Sequence, residues 1–401
     1  MAPSVCANAT ANGLRRMRCR FLRVRMVSLA TALALGACQT AEEGDRPTLI
    51  AGTASPEAGF ARALEVRAFQ LPQDHGPHPD FQTEWWYYTG NLKSETGERF
   101  GFQLTFFRRG LSPGVIGGGR ASGLATNQIY FAHFALTDIG AGEHHAYERF
   151  SRGAGDLAGA SPAPFRVWLE DWSAQAIDEE GGEVRLVARQ GEIGIELVLR
   201  SAKPIVLHGE QGLSRKSESP GNASYYLSYT RMQAEGSIAV EGKTIAVQGE
   251  GWFDHEWSTS ALAPGAVGWD WFGLQLSDGR ELMLARIRHA DGSIDPVSGG
   301  TLVEADGSSR LLAPGDVEFQ VLSYWKSPET AAVYPSAWRV VIPSAGLDLQ
   351  LRPWLESQEM NLSIVYWEGA VKVEGLSGEV EVQGHGYVEL TGYARSMEGV
   401  F

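Results

Sequence analysis

Two short stretches concentrate the residue types that could do chemistry: Gly251-Trp252-Phe253-Asp254-His255-Glu256-Trp257 and Trp269-Asp270-Trp271-Phe272. Carboxyl groups set among aromatic rings suit one kind of reaction. An acid protonates an electron-rich double bond, the π faces stabilise the carbocation, and a carboxylate or imidazole assists the addition of water. A carboxyl desolvated among indoles keeps its proton towards neutrality, as the acid in such a step must. Asp270, flanked by Trp269 and Trp271, is the first candidate for that acid, and Asp254 the second. His255 is the candidate base or orienting group, and Trp86, Tyr88 and Trp257 are candidate walls for the cation. The competing reading makes Asp254 and Glu256 ion-pair partners of arginines at a domain seam, and His255 a hydrogen-bonded structural histidine.

Other chemistries lack their signals. Asp254-His255-Glu256 has the donor types of a metal site, but consecutive strand residues point to opposite faces and do not easily close on one ion. The sequence has no H-x-H or H-E-x-x-H spacing, no G-x-G-x-x-G after a strand, no P-loop and no G-x-S-x-G elbow. Neither a metal nor a nucleotide cofactor is expected.

The elements that must hold these residues are strands. Beyond residue 64 the chain runs in short alternating segments separated by Gly, Asp-Gly and Pro turns, which predicts a mostly antiparallel β protein. Phe100–Phe107, Gln128–Leu136, Glu183–Ala188, Ile193–Leu199, Glu281–Ile287 and Trp338–Ile342 read as strands, and Asp278-Gly279, Asp291-Gly292 and Asp306-Gly307 as turns. Residues two apart share a face, so Glu84, Trp86 and Tyr88 stand opposite Trp85, Tyr87 and Thr89. Trp252, Asp254 and Glu256 likewise oppose Phe253, His255 and Trp257. In the last strand His385, Tyr387, Glu389, Thr391 and Tyr393 align, which suits a cavity wall, a seam between barrels or a solvent-facing stripe. Glu84, Glu389 and Tyr393 thereby join the ligand-binding candidates, with Trp269 and Trp271. His133, inside the apolar run Tyr130–Ala135, and Tyr226, in the tyrosine-rich Ser217–Arg231, complete the set.

Composition bounds the setting. The 401 residues carry 34 basic and 48 acidic side chains, and six of the arginines fall in residues 1–37, where there is no acid. The remainder holds 28 bases against 48 acids, so a nucleic-acid partner is not expected. Arg15–Arg25 followed by the apolar Met26–Ala37 has the form of an export signal, and Leu35-Gly36-Ala37-Cys38 resembles the lipobox of bacterial lipoproteins. Residues 1–37 are then a signal peptide, Cys38 is the lipidated residue, and residues 38–63 are a flexible tether. Cys6, Cys19 and Cys38 are the only cysteines, so the body has no thiol with which to build a disulfide or a thiolate metal cage. The expected location is the bacterial envelope, at the outer membrane facing the periplasm.

Trp85–Leu92 and Trp269–Leu276 are aromatic octets of similar character, each followed by a turn and an apolar strand, which suggests an internal duplication. Asp80–Leu92, Gly251–Trp257, Trp269–Phe272 and Gly384–Tyr393, in that order, resemble the AttH-type family related to carotenoid 1,2-hydratases. The resemblance spans about residues 70–395. It implies two tandem lipocalin-like (calycin) antiparallel β-barrels, a cavity for an apolar ligand and no redox cofactor. The barrels are expected over 64–257 and 258–401, with the small-residue stretch 258–266 between them.

Two functions fit. One is hydration of an isoprenoid-like or polyketide-like substrate at a double bond. The other is binding or shuttling of a lipid by a non-catalytic lipoprotein, alone or beside a transporter. Export and lipidation argue against a cytoplasmic pigment pathway.

Overall fold

The computed structural model describes residues 59–113, 126–260 and 262–400. Alternation of apolar and polar residues builds nearly everything from antiparallel strands. The chain opens with β1 (Thr83–Ser94), β2 (Arg99–Gly110), β3 (Gln128–Asp138) and β4 (Glu143–Arg152). Shorter strands follow: β5 (Ala158–Pro162), β6 (Phe165–Leu169), β7 (Trp172–Ala176), β8 (Glu183–Gln190) and β9 (Ile193–Ser201). The brief β10 (Val206–Leu207) and β11 (Leu213–Arg215) lead into the two longest strands, β12 (Ala223–Val240) and β13 (Lys243–Ser258). β13 returns to pair with β1, giving the order β4-β3-β2-β1-β13-β12-β9-β8-β7-β6-β5, with β10 and β11 on β12.

A second sheet repeats the plan with fewer strands. It comprises β14 (Ala266–Leu276), β15 (Glu281–His289), β16 (Gly299–Val303), β17 (Ser309–Leu312) and β18 (Glu318–Lys326). It continues with β19 (Val333–Ile342), β20 (Leu347–Pro353), β21 (Glu359–Asn361), β22 (Val365–Ser377) and β23 (Val380–Leu390). Its order is β17-β16-β15-β14-β23-β22-β20-β19-β18, so here too the last strand pairs with the first. Both sheets are barrel-like, and the six segments read as strands from the sequence all lie in strands. The Asp278-Gly279 and Asp306-Gly307 turns place their glycines at φ +83° and +86°, the left-handed region that a side chain would oppose.

Each barrel fills its own interior. Trp86, Tyr88, Phe102, Leu104, Phe253 and Trp257 belong to the first core, and Phe272, Leu274, Trp338, Trp367 and Val388 to the second. Two smaller apolar clusters draw on both sheets. One joins Tyr87, Tyr226 and Trp252 to Trp271, Met283 and Tyr387, and the other joins Phe131 and Ala135 to Ile364 and Tyr366. The barrels therefore meet through their outer faces. Among the described residues no helix is long and apolar enough to cross a membrane, and Cys6, Cys19 and Cys38 lie outside those residues.

Candidate active site between the barrels

Antiparallel register sets side chains side by side across a sheet, so a face can be read along its rungs. On the outer face of the first sheet one rung runs His133, Thr105, Tyr87, Asp254, Ser228. The neighbouring rung, two residues along, runs Phe131, Phe107, Trp85, Glu256, Tyr226. On the second sheet Ala285, Trp271, Glu389 and Glu368 form the facing rung. These faces enclose a cavity of about 420 Å³. Trp85, Tyr87, Tyr226, Trp269 and Trp271 supply most of its aromatic wall, Met283, Ile287 and Ile364 add aliphatic surface, and Leu311 of β17 and Pro314 just beyond that strand complete the lining. The volume falls in the range of ~300–1,000 Å³ usual for small-molecule sites.

Asp254 is the best-held carboxyl in the cavity. The Tyr226 hydroxyl donates to its Oδ2 at 2.6 Å and the Trp252 indole N–H to its Oδ1 at 2.6 Å, while the Ser228 hydroxyl also meets Oδ1. Burial pushes this carboxyl up to about 7, against the pull of those three donors and with help from the Glu256 charge. Behind Ser228 lies a buried chain: His208 Nε2 is 2.7 Å from Ser228 Oγ, and His208 Nδ1 is 2.9 Å from the hydroxyl of Thr301, itself a lining residue. Serine, not histidine, is the middle member between Asp254 and His208. The three therefore do not have the order of a hydrolytic triad, in which the acid orients the histidine.

The opposite wall carries Glu389 and Glu368. Burial lifts Glu389 to about 7; the Trp269 N–H, 3.3 Å from its Oε2, opposes the rise and the Asp254 and Glu256 charges add to it. Burial and the neighbouring Glu389 push Glu368 well above the ordinary carboxyl range, opposed by the Tyr87 and Tyr366 phenols. Tyr366 also meets His133, whose Nδ1 is 2.8 Å from its hydroxyl. Burial lowers His133 to about 3, so the imidazole is neutral. At the rim Lys216 pairs with Glu256 at 2.5 Å and lies 5.3 Å from the centre of the Tyr226 ring.

The cavity thus gathers Asp254, His133, Tyr226, Trp269, Trp271 and Glu389 from the residues singled out in the sequence. It does not gather Asp270, His255, Glu84, Trp86, Tyr88, Trp257 or Tyr393. Alternation along the strands explains the first six, whereas Tyr393 lies beyond the end of β23 at Leu390, so it does not continue the face of Glu389 and instead packs against the second core. Asp270 has the parity of Phe272 and turns away from Trp271. Arg288 holds its Oδ1 at 2.8 Å, the Tyr393 hydroxyl donates to it at 3.0 Å, and Arg286 stands 3.6 Å from Oδ2. Trp86, Tyr88 and Trp257 are buried in the first core beside His255, whose Nε2 is 2.9 Å from Glu84 Oε1. Burial would raise the Glu84 carboxyl, yet Arg108, 2.8 Å away, and His78, 2.7 Å away, hold it well below its usual range.

His78, Glu84 and His255 bring their ligand-type atoms within 4.8 Å of one another. Their contacts form an ion-pair network: both histidines meet Glu84 Oε1 and Arg108 meets Oε2. An arginine on the shared carboxylate fits that network better than a cation site. The reading of these residues as structural therefore applies to His255 and Glu84, and an arginine pairing of the kind envisaged for Asp254 is found at Asp270.

Trp85, Tyr87, Glu256, Glu368 and His208 were not among the sequence candidates. The first three share the face of Asp254, which a strict choice of one parity would have selected. Glu368 had its own signal, a lone acid inside the apolar strand Val365–Val373.

A family model described as AttH-like matches residues 62–393. An AttH-type protein from Nitrosomonas europaea is 36% identical, with a TM-score of 0.74 over 84% of this chain and 100% of its own. Kievitone hydratase from Nectria haematococca shares the fold at 17% identity, with a TM-score of 0.63 over 84% of this chain and 98% of its own. The protein CghA, solved with Sch210972, is 14% identical with a TM-score of 0.50, again over 84% and 98%. No curated protein matches the chain. With most of its length matched by the family model and a relative of this identity covered from end to end, the chain belongs to the AttH-like family.

Proposed function

We propose that this protein adds water to a carbon–carbon double bond of an apolar, isoprenoid-like or polyketide-like molecule held between its two barrels, with Asp254 as the proton donor. One observation carries the reading: a carboxyl lifted to about 7 stands in an aromatic-walled cavity, fixed by three side chains. Protonation of a double bond creates a carbocation, and Trp85, Tyr226, Trp269 and Trp271 offer it π faces. An acid whose affinity for protons matches the working pH both holds and releases its proton efficiently. The reaction is redox-neutral and consumes only water. A fold relative whose name states hydration, kievitone hydratase, supports this class.

The same reading places the protein at the bacterial envelope, lipidated at Cys38 after removal of residues 1–37, where apolar cargo is at hand. The apolar lining also favours a second reading, a carrier that binds a lipid and leaves it unchanged, alone or beside a transporter. One experiment separates them. Full-length protein in detergent is incubated with an isoprenoid-rich membrane extract, and the extract is followed by mass spectrometry beside Asp254→Asn. A species heavier by one water, formed by the wild type and not by the variant, is the expected result. An unchanged extract, with the same apolar molecule co-purifying with both proteins, replaces the enzyme by the carrier.

A further inference from the structure

Asp254 accounts for the proton given to the substrate and leaves open where the proton of the added water goes. Glu368 and Glu389 are directly opposed cross-strand partners on β22 and β23, and both line the cavity. Like charges at such positions repel. Two carboxyls so placed relieve the repulsion by keeping a single proton between them. Glu368 is 1% exposed and is approached by the Tyr87 and Tyr366 phenols, but neither of its oxygens nor the Tyr87 hydroxyl, itself 6% exposed, completes a hydrogen bond of full geometry. Buried polar atoms ordinarily complete their hydrogen bonds, so cavity-lining oxygens left with incomplete ones mark a place that receives a polar atom of a ligand or a reacting water. The groups facing the pair are Tyr87 from β1, Tyr366 from β22, Tyr387 from β23, and Asp254 and Glu256 from β13. None is a cation that would hold both carboxyls ionised.

Resting on the hydration reading above, we propose that Glu368 and Glu389 form a one-proton carboxyl dyad that serves as the general base, taking a proton from the attacking water while Asp254 protonates the double bond from the opposite wall. The Asp254 O–H bond breaks as a C–H bond forms, leaving a cationic carbon. A water oxygen bonds to that carbon, and one of its protons passes to the ionised member of the dyad. The dyad then holds two protons and Asp254 none. Once the product leaves, the dyad releases a proton to solvent and Asp254 takes one up, so the net change is one water consumed.

The test combines a titration that needs no substrate with an assay that does. Infrared difference titration of the full-length protein in detergent follows the protonated-carboxyl stretch in wild type, Glu368→Gln and Glu389→Gln. In a dyad, removing the Glu389 charge lets Glu368 release its proton at a pH lower by about one unit or more. A Glu368 step unmoved by Glu389→Gln means two independent acids and overturns the dyad. With the isoprenoid-rich membrane extract as the source of unhydrated substrate, Glu389→Gln lowers kcat by about 10²–10⁴-fold, abolishes the rising limb of the pH profile and leaves ligand co-purification intact, while Glu389→Asp restores part of the rate. Hydration that persists in Glu389→Gln overturns the base assignment and leaves the hydration reading standing. If the wild type hydrates nothing, that reading and the base role fall together, and the titration still decides on the dyad.

Discussion

The two barrels present the same frame to the cavity and furnish it differently. β1 and β14 each begin a sheet, and each pairs with the second strand of that sheet and with its last. Register sets Tyr87 beside Asp254 in one and Trp271 beside Glu389 in the other, so these two carboxyls occupy equivalent places. One strand further on, Asp254 meets Ser228 whereas Glu389 meets Glu368. Burial lifts both Asp254 and Glu389 to about 7. The neighbour decides what the lifted carboxyl can do: with hydroxyl and indole donors around it, Asp254 is a singly held acid, and beside a second carboxyl Glu389 is half of a pair. A repeated scaffold thus carries unlike proton chemistry on two facing walls.

That comparison is tested most severely at Asp254. Asp254→Asn keeps the shape and the acceptor oxygen but loses the proton, and turnover is expected to fall by about 10²–10⁴-fold with ligand still bound. Unimpaired turnover would move the acid to the other wall. The same substitution has an opposite effect on stability. A carboxyl raised from 3.8 to about 7 by folding binds protons more tightly in the native state, so the stability it lends at low pH is lost as pH climbs between those values. A shift of this size corresponds to about 4 kcal/mol above pH 7. The variant escapes that loss, so thermal unfolding at pH 5 and pH 8 should show its advantage over wild type widening with pH. A gap that narrows would contradict a buried, proton-holding Asp254.

How much of this could be read from the chain alone depended on which pattern carried it. Period-two alternation, Asp-Gly turns and the family motifs gave the strands and the paired barrels, because those signals are local. Alternation also separated Trp85 and Tyr87 from Trp86 and Tyr88, and Asp254 from His255. What it could not say is which of the two faces looks inward, since in both barrels the interior and the outer seam are apolar. Trp269 and Trp271 do flank Asp270 in sequence, but on a strand that places them on the other side of the sheet. Arg288 and His208, which give Asp270 and Ser228 their settings, lie 18 and 20 residues away on neighbouring segments and carry no motif of their own.

Asp270 supplies the counter-test, because it is a buried aspartate on the wrong side of the same wall. Asp270→Asn leaves Arg288 and Arg286 without their carboxylate and Tyr393 without a charged acceptor. Removing one partner of a buried pair costs about 3–5 kcal/mol, and the two arginines are partly exposed, so the lower end, about 3 kcal/mol, is expected in chemical denaturation. Turnover per folded molecule should stay within about twofold of wild type, since substitutions outside a site leave its energetics nearly untouched. A large loss of rate in the folded variant would return Asp270 to the catalytic centre.

The smallest expected effect is also the most specific. With Asp254 required as an acid and the Glu389 pair as a base, both titrating at about 7, the rate should follow a narrow bell centred near neutrality. Tyr226 donates to the ionised form of Asp254 and thereby lowers it, so Tyr226→Phe removes a restraint and lets the carboxyl rise further. A hydrogen bond worth about 1 kcal/mol corresponds to somewhat under one pH unit. Because the acid works only while protonated, the falling limb of the bell should move to higher pH by about that amount, and the rising limb, which belongs to the other wall, should move far less and in the opposite direction, since a neutral Asp254 no longer raises Glu389. Trp271 donates to the same phenol at 3.0 Å, so Trp271→Phe loosens Tyr226 without removing it and should shift the falling limb by less. Movement of both limbs together in Tyr226→Phe would mean that the two walls titrate as one coupled group and that the division of labour between the barrels does not hold.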